Sequence, residues 1–302
     1  MKKLLRVLRA VGIGFVTLVL VATAAVYGVT TMQLNRTVDF QPKRLAGVHA
    51  DSATVARGAH LATAIAKCAE CHGDDMAGKT FAEVGPVFKL YGPNLTRGTG
   101  GIAASLTDQD WSNAIRHGVR RDGRSLLFMP SEDWVGMSDE DVSAIVAYMK
   151  QLPAVDNVVP QSSVGPVGRV LMLAGKLPLF SAQKVKEAPA PGAVPPAGPT
   201  AAYGRYLANV GGCTGCHGPT LSGGRIPGAP PDLPIPANIT PAGIGGYTRD
   251  DFARALREGT RPDGSAINDF MPIKWTKLMT DDEISAVYAY LQTVPAKEFG
   301  TR

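Results

Sequence analysis

Cysteine is scarce in this chain, with four in 302 residues. All four fall in two short clusters, "KCAECHG" at 67–73 and "GCTGCHG" at 212–218, so no thiol is left over for a structural disulfide elsewhere. Charge is thin as well, at 19% of residues, and from residue 10 to residue 35 there is none. The net charge of +5 does not describe a basic fold, because Lys2, Lys3, Arg6, Arg9, Arg36, Lys43 and Arg44 stand against Asp39 alone in the first 45 residues. That segment holds more than the whole positive surplus. The remainder is slightly acidic and offers no surface for polyphosphate, which excludes a nucleic-acid partner. Sustained period-two alternation is also missing, so β-sheet is not expected to dominate. With 45% apolar residues the chain is not disordered either.

The uncharged stretch at 10–35 is apolar almost throughout its first twenty residues, long enough to cross a bilayer as a helix. The four basic residues before it are expected to stay cytoplasmic. A cleaved signal peptide is the rival, since "VATAA" at 21–25 offers small residues to a peptidase. The apolar run continues past that point through Val26, Tyr27, Val29 and Met32, which favours a retained anchor.

The rest of the chain is written twice. Cys68, Cys71 and His72 match Cys213, Cys216 and His217; "IRHGVRRDG" at 115–123 matches "LREGTRPDG" at 256–264; "FMP" at 128–130 matches "FMP" at 270–272; "AYMKQLP" at 147–153 matches "AYLQTVP" at 289–295. A period near 145 residues is too long for a solenoid and reads as a duplicated domain. In each copy a helix (52–66, then 200–211) leads to the Cys/His cluster, and a loop rich in Gly and Pro follows. Then "TDQD" at 107–110 and "TRDD" at 248–251 read as capping boxes opening helices that run to Gly118 and Gly259. "SDED" at 138–141 and "TDDE" at 280–283 open closing helices in the same way. The expected plan is mainly α: an anchor over 1–35, a first domain over 46–153, a linker over 154–199 and a second domain over 200–302. Within the linker, "VGRVLMLAGKLPLF" at 167–180 is too short to span a bilayer and is expected to pack as a helix across the two domains. "EAPAPGAVPPAGPT" at 187–200 is a proline-rich spacer.

Two cysteines one turn apart suggest zinc first, but each cluster supplies only two thiols and one imidazole. Contiguous Cys-x-x-Cys-His is instead the attachment signature of haem c. The two thiols bond the vinyl-derived carbons of one porphyrin, and the adjacent imidazole reaches the iron from the same side. A thioredoxin-type pair lacks its βαβ setting. Two covalent haem c groups are therefore expected, on Cys68, Cys71 and His72 and on Cys213, Cys216 and His217.

A second axial ligand common to both copies cannot be His49 or His60, which precede the first motif, or His117, which is matched by Glu258. Met76 follows His72 too closely to reach the far face. Met137 and Met279 stand at helix starts as staple residues. Met129 and Met271, in the matched "FMP" loops, are the expected distal iron ligands, and a thioether there raises the haem potential.

On these motifs, and on "GPNLT" at 92–96, the chain resembles the class I c-type cytochromes over about 50–153 and 200–297. Within that class it looks like the haem domains of cytochrome subunits from membrane-bound alcohol and aldehyde dehydrogenases. The resemblance implies that the carbonyl of Pro93 holds the His72 N–H. The second copy reads "PANIT" at 236–240, so Ala237 takes that place. It further implies a membrane-anchored dihaem cytochrome c on the periplasmic face of a bacterial inner membrane. Such a protein is no enzyme itself and passes single electrons between a dehydrogenase or respiratory complex and an acceptor such as a cytochrome or terminal oxidase. The alternative is a dihaem peroxidase, which needs one iron without a firm sixth ligand.

Overall fold

The computed structural model describes residues 2–42, 44–45, 47–187, 195–229 and 231–302. Half of the expected proline-rich spacer, residues 188–194, lies outside them. Helix α1 (Lys2–Asn35) contains an 18-residue stretch of mean hydropathy 2.2 and is exposed along nearly all of its length. It is long and apolar enough to cross a membrane.

In the first copy, α2 (Ser52–His60) starts at Asp51, whose carboxylate accepts the N–H groups of Ala53 and Thr54. It runs directly into one π-helical turn, Leu61–Ile65, and then to α3 (Ala69–His72), which carries the first cluster. Strands β1 (Lys79–Val84) and β2 (Phe88–Gly92) form a hairpin, followed by α4 (Asp108–His117), α5 (Ser131–Trp134) and α6 (Asp139–Gln151). Strand β3 (Ser163–Val164), α7 (Pro166–Leu173) and α8 (Ser181–Glu187) make the connection. The second copy repeats the plan with α9 (Ala201–Val210), α10 (Cys213–His217), α11 (Pro241–Ile244), α12 (Arg249–Glu258), α13 (Ile273–Thr276) and α14 (Asp281–Leu291).

The fold is mainly α, as expected, but the β1–β2–β3 sheet was not legible. Its strands are short and β1 is largely exposed on both faces, so no apolar alternation marks it. Three of the four capping boxes form completely: Thr107 with Asp110, Thr248 with Asp251, and Thr280 with Glu283. The fourth is half made. Ser138 accepts the Asp141 N–H, but the Asp141 carboxylate turns away to Arg57 and to the Tyr206 hydroxyl.

In each copy the first and last helices cross at a glycine. A Cβ at Gly58 would lie 1.9 Å from the Ala144 carbonyl oxygen, and one at Gly204 would lie 1.8 Å from that of Ala286. No side chain fits at either crossing, and the closing helices α6 and α14 bury Val142, Ile145, Val146 and Met149, then Ile284, Val287 and Leu291, around them. From Gly58 to Cys68 is one residue further than from Gly204 to Cys213. The π turn absorbs that extra residue, so both clusters arrive in the same place.

Helix α7 does not pack across the two domains. It lies against α1 and the β1–β2 hairpin, with Gly168 closing on the Val87 carbonyl. Arg169 sets the contact: its guanidinium sits 4.5 Å from the centre of the Tyr27 ring and donates to Thr30 Oγ1 at 2.6 Å. The reason is a small second core of Val164, Met172 and Leu179, which Leu34 of α1 completes.

Candidate cofactor sites and the family

Each cluster occupies a single helical turn behind the crossing. Cys68 leads into α3 and Cys213 opens α10, and both pack against the common apolar core. The two histidines at the ends of these turns are oriented alike. Nδ1 of His72 lies 2.9 Å from the Pro93 carbonyl oxygen, and Nδ1 of His217 lies 2.7 Å from that of Ala237. A carbonyl oxygen only accepts, so Nδ1 carries the proton in both rings and Nε2 is left as the free electron pair. Burial lowers the pKa of both imidazoles and keeps them neutral, the state in which a nitrogen ligates. The loops that supply the carbonyls are anchored by Asn94, whose Nδ2 donates to the Val155 carbonyl, and by Asn238, whose Nδ2 donates to that of Lys297.

Met129 and Met271 sit half-buried against the same core, each at the start of the segment leading into α5 or α13. Met137 and Met279 are buried at the starts of α6 and α14. Met76 is wholly buried with φ +59, and the corresponding residue of the second copy is Leu221, buried with φ +62. A position filled by Met in one copy and Leu in the other is apolar packing.

The donor set suits haem c. The four thiols are unbridged. Among the described residues no three His, Cys, Asp or Glu side chains gather as a metal cluster, which weighs against zinc. The buried Trp111 indole N–H has no acceptor among the described residues, an open donor of the kind a porphyrin carboxylate satisfies.

The two sites face one another through residues that motif reading did not find. Trp134 of α5 donates its indole N–H to the Val210 carbonyl at 3.0 Å, beside the second cluster. Its counterpart Trp275 of α13 donates to Glu70, inside the first cluster, and neighbouring Lys274 pairs with Asp74 at 2.7 Å. Further out, Tyr206 of α9 donates to Asp141 of α6 at 2.6 Å, while His60 of α2 lies 2.9 Å from both oxygens of Glu283 in α14. Counting forward from Gly58 and Gly204, His60 and Tyr206 are the same position. Each engages the third residue of the other half's closing helix, so the interface is pseudo-twofold. The signal in the sequence was the matched tryptophan five residues after each "FMP" phenylalanine or six.

The profile of the cytochrome c family matches residues 55–153 and again 201–295. The chain belongs to the cytochrome c family. The alcohol dehydrogenase (quinone) cytochrome c subunit of Gluconacetobacter polyoxogenes is 31% identical over 283 residues, covering 82% of this cytochrome and 57% of the relative. The gluconate 2-dehydrogenase cytochrome c subunit of Pantoea cypripedii is 29% identical, covering 84% and 62%. A diheme cytochrome c-type protein of Cereibacter sphaeroides is 27% identical, covering 92% of this chain and 97% of the relative. The cytochrome thus spans less than two thirds of the two dehydrogenase subunits and nearly all of the diheme protein. It carries two covalently bound haem c groups, one for each matched segment, and its chemistry is electron transfer.

Proposed function

We propose that this cytochrome is anchored in a bacterial inner membrane by α1 and relays single electrons on the periplasmic side, from a dehydrogenase or respiratory complex to a cytochrome or terminal oxidase. The observation that carries the reading is the doubled residue set, Cys-x-x-Cys-His with a matched "FMP" methionine, which leaves neither iron an open position. The haem, when bound, supplies reversible one-electron chemistry. Cys68 and Cys71, then Cys213 and Cys216, hold it covalently. His72 and His217 would hold the iron through Nε2, with Pro93 and Ala237 fixing their rings. Met129 and Met271 would supply the thioether ligands, which favour the reduced state. The domains run over 46–153 and 200–302, joined by the linker at 154–199.

Several features support the setting. Lys2, Lys3, Arg6 and Arg9 precede the apolar stretch of α1, so the following domains lie outside the cytoplasm. The names of the dehydrogenase-subunit relatives support a dehydrogenase as electron donor. Contact with the acceptor is expected to be small and transient.

The test is stopped-flow oxidation of the reduced protein, with hydrogen peroxide in one series and a partner cytochrome or oxidase in the other. A relay is oxidised rapidly by the protein partner and turns over negligibly with peroxide. Fast, saturable peroxide turnover would replace the relay with the peroxidase.

A further inference from the structure

Lys67, immediately before the first cluster, holds a backbone conformation that side chains rarely adopt, with φ +53. Its counterpart before the second cluster is Gly212, with φ +68, the residue this conformation favours. The first copy therefore keeps a lysine where the local backbone prefers glycine. Its side chain explains why. The ammonium is buried between the two halves, donating to the Ile65 carbonyl at 2.8 Å and, across the interface, to that of Gly211 at 2.6 Å. Burial works against its charge, and with the cysteines bonded to haem the Asp133 carboxylate is the acidic group that favours it there. The exchange is reciprocal, because a Cβ at Gly212 would lie 2.9 Å from Asp133 Oδ2. The missing side chain of the second copy makes room for the carboxylate of the first, and Lys67 reaches back the other way.

We propose that Lys67 is a positioning residue shared by the two haem sites: it ties the loop before one attachment motif to the loop before the other and places a single positive charge between them. The inference rests on the two-haem assignment. Each haem carries one unit less positive charge when reduced, so a cation between the sites favours the reduced state of both. Lys67 and Lys184 both act to lower the Asp133 carboxyl against its burial, so any proton Asp133 gains when Lys67 is removed offsets only part of the lost positive charge.

The experiment uses the full chain in mild detergent, with Lys67→Gly, Lys67→Met and Lys67→Arg compared by potentiometric titration, thermal melting and mass of the denatured protein. The mass counts haems, and fewer than two on the unsubstituted chain defeats the two-haem assignment itself. With two haems on each variant, Lys67→Gly and Lys67→Met are expected to shift both midpoint potentials downward together, while Lys67→Arg leaves them near the original values. Lys67→Met, which keeps the aliphatic stem and drops only the charge, decides the matter if the glycine variant loads haem poorly. The inference is overturned if Lys67→Gly melts higher with both potentials unmoved, since the lysine would then be only a strained residue. It is equally overturned if only the first haem shifts.

Discussion

The crossing of α9 and α14 supports a sharp stability test. Replacing Gly204 by alanine improves local helix propensity by about 1 kcal/mol. Against that, the new methyl would stand 1.8 Å from the Ala286 carbonyl oxygen and 2.3 Å from its carbon. Neither neighbour is a side-chain end that can swing aside. The helices would have to part by roughly 1 Å, a large fraction of the play in an interaxial spacing of about 8–10 Å. Overpacking of this kind costs about 1–3 kcal/mol and more where backbone blocks the way. The expected net loss is about 2 kcal/mol, or roughly 10 °C in melting temperature for a domain of this size. Gly215→Ala is the internal control: it lies in the attachment turn itself, has nothing within 4 Å of its would-be Cβ and keeps negative φ. Melting followed by haem absorbance should show Gly204→Ala well below, and Gly215→Ala at or slightly above, the unsubstituted protein. Equal melting of the two variants would refute the reasoning.

Met129→Leu or Met271→Leu should leave haem attached, abolish the sulfur-to-iron absorption of that site and lower its potential. Met137→Leu and Met279→Leu should do neither, and the assignment fails if they do. Burial opposes the charge on Glu283, yet the His60 ring and the Thr280 N–H hold its carboxyl below the usual carboxylate range. A depressed carboxyl stabilises above its unfolded pKa and loses that contribution as pH falls through the folded one. Acidification from about pH 6 to about pH 3 should therefore cost the unsubstituted protein more stability than Glu283→Gln, and parallel curves would count against the interface carboxylate. For the anchor, the mature protein should need detergent and retain its N-terminus; a chain beginning near Ala25 and soluble without detergent indicates a cleaved signal peptide.

Local chemistry was legible in the sequence and mutual arrangement was not. The duplication, the attachment clusters and three capping boxes each depend on residues within a few positions of one another, which a sequence displays directly. Asp141 shows where that stops. By pattern it is a capping residue like Glu283, but Tyr206, 65 positions away, claims its carboxylate, and the box opens. The destination of α7 was missed for a related reason, since an apolar helix advertises that it will be buried and not against what. Lys67 was invisible because nothing in "KCAECHG" marks its lysine as sitting in a glycine's conformation.

The mutual covering of the two clusters imposes an order on maturation. In the docked arrangement burial pushes the Cys68 thiol up to about 12 and the Cys71 thiol up to about 11. Trp275 and Lys274 from the other half close over the same turn. Thiols react as thiolates, and at neutral pH such groups are almost entirely protonated. On the proposed assignment, attachment at the first site therefore belongs to an open chain, before the C-terminal half has swung into place. Loading is then expected before closure, and a chain that docks early is expected to take up its first haem more slowly.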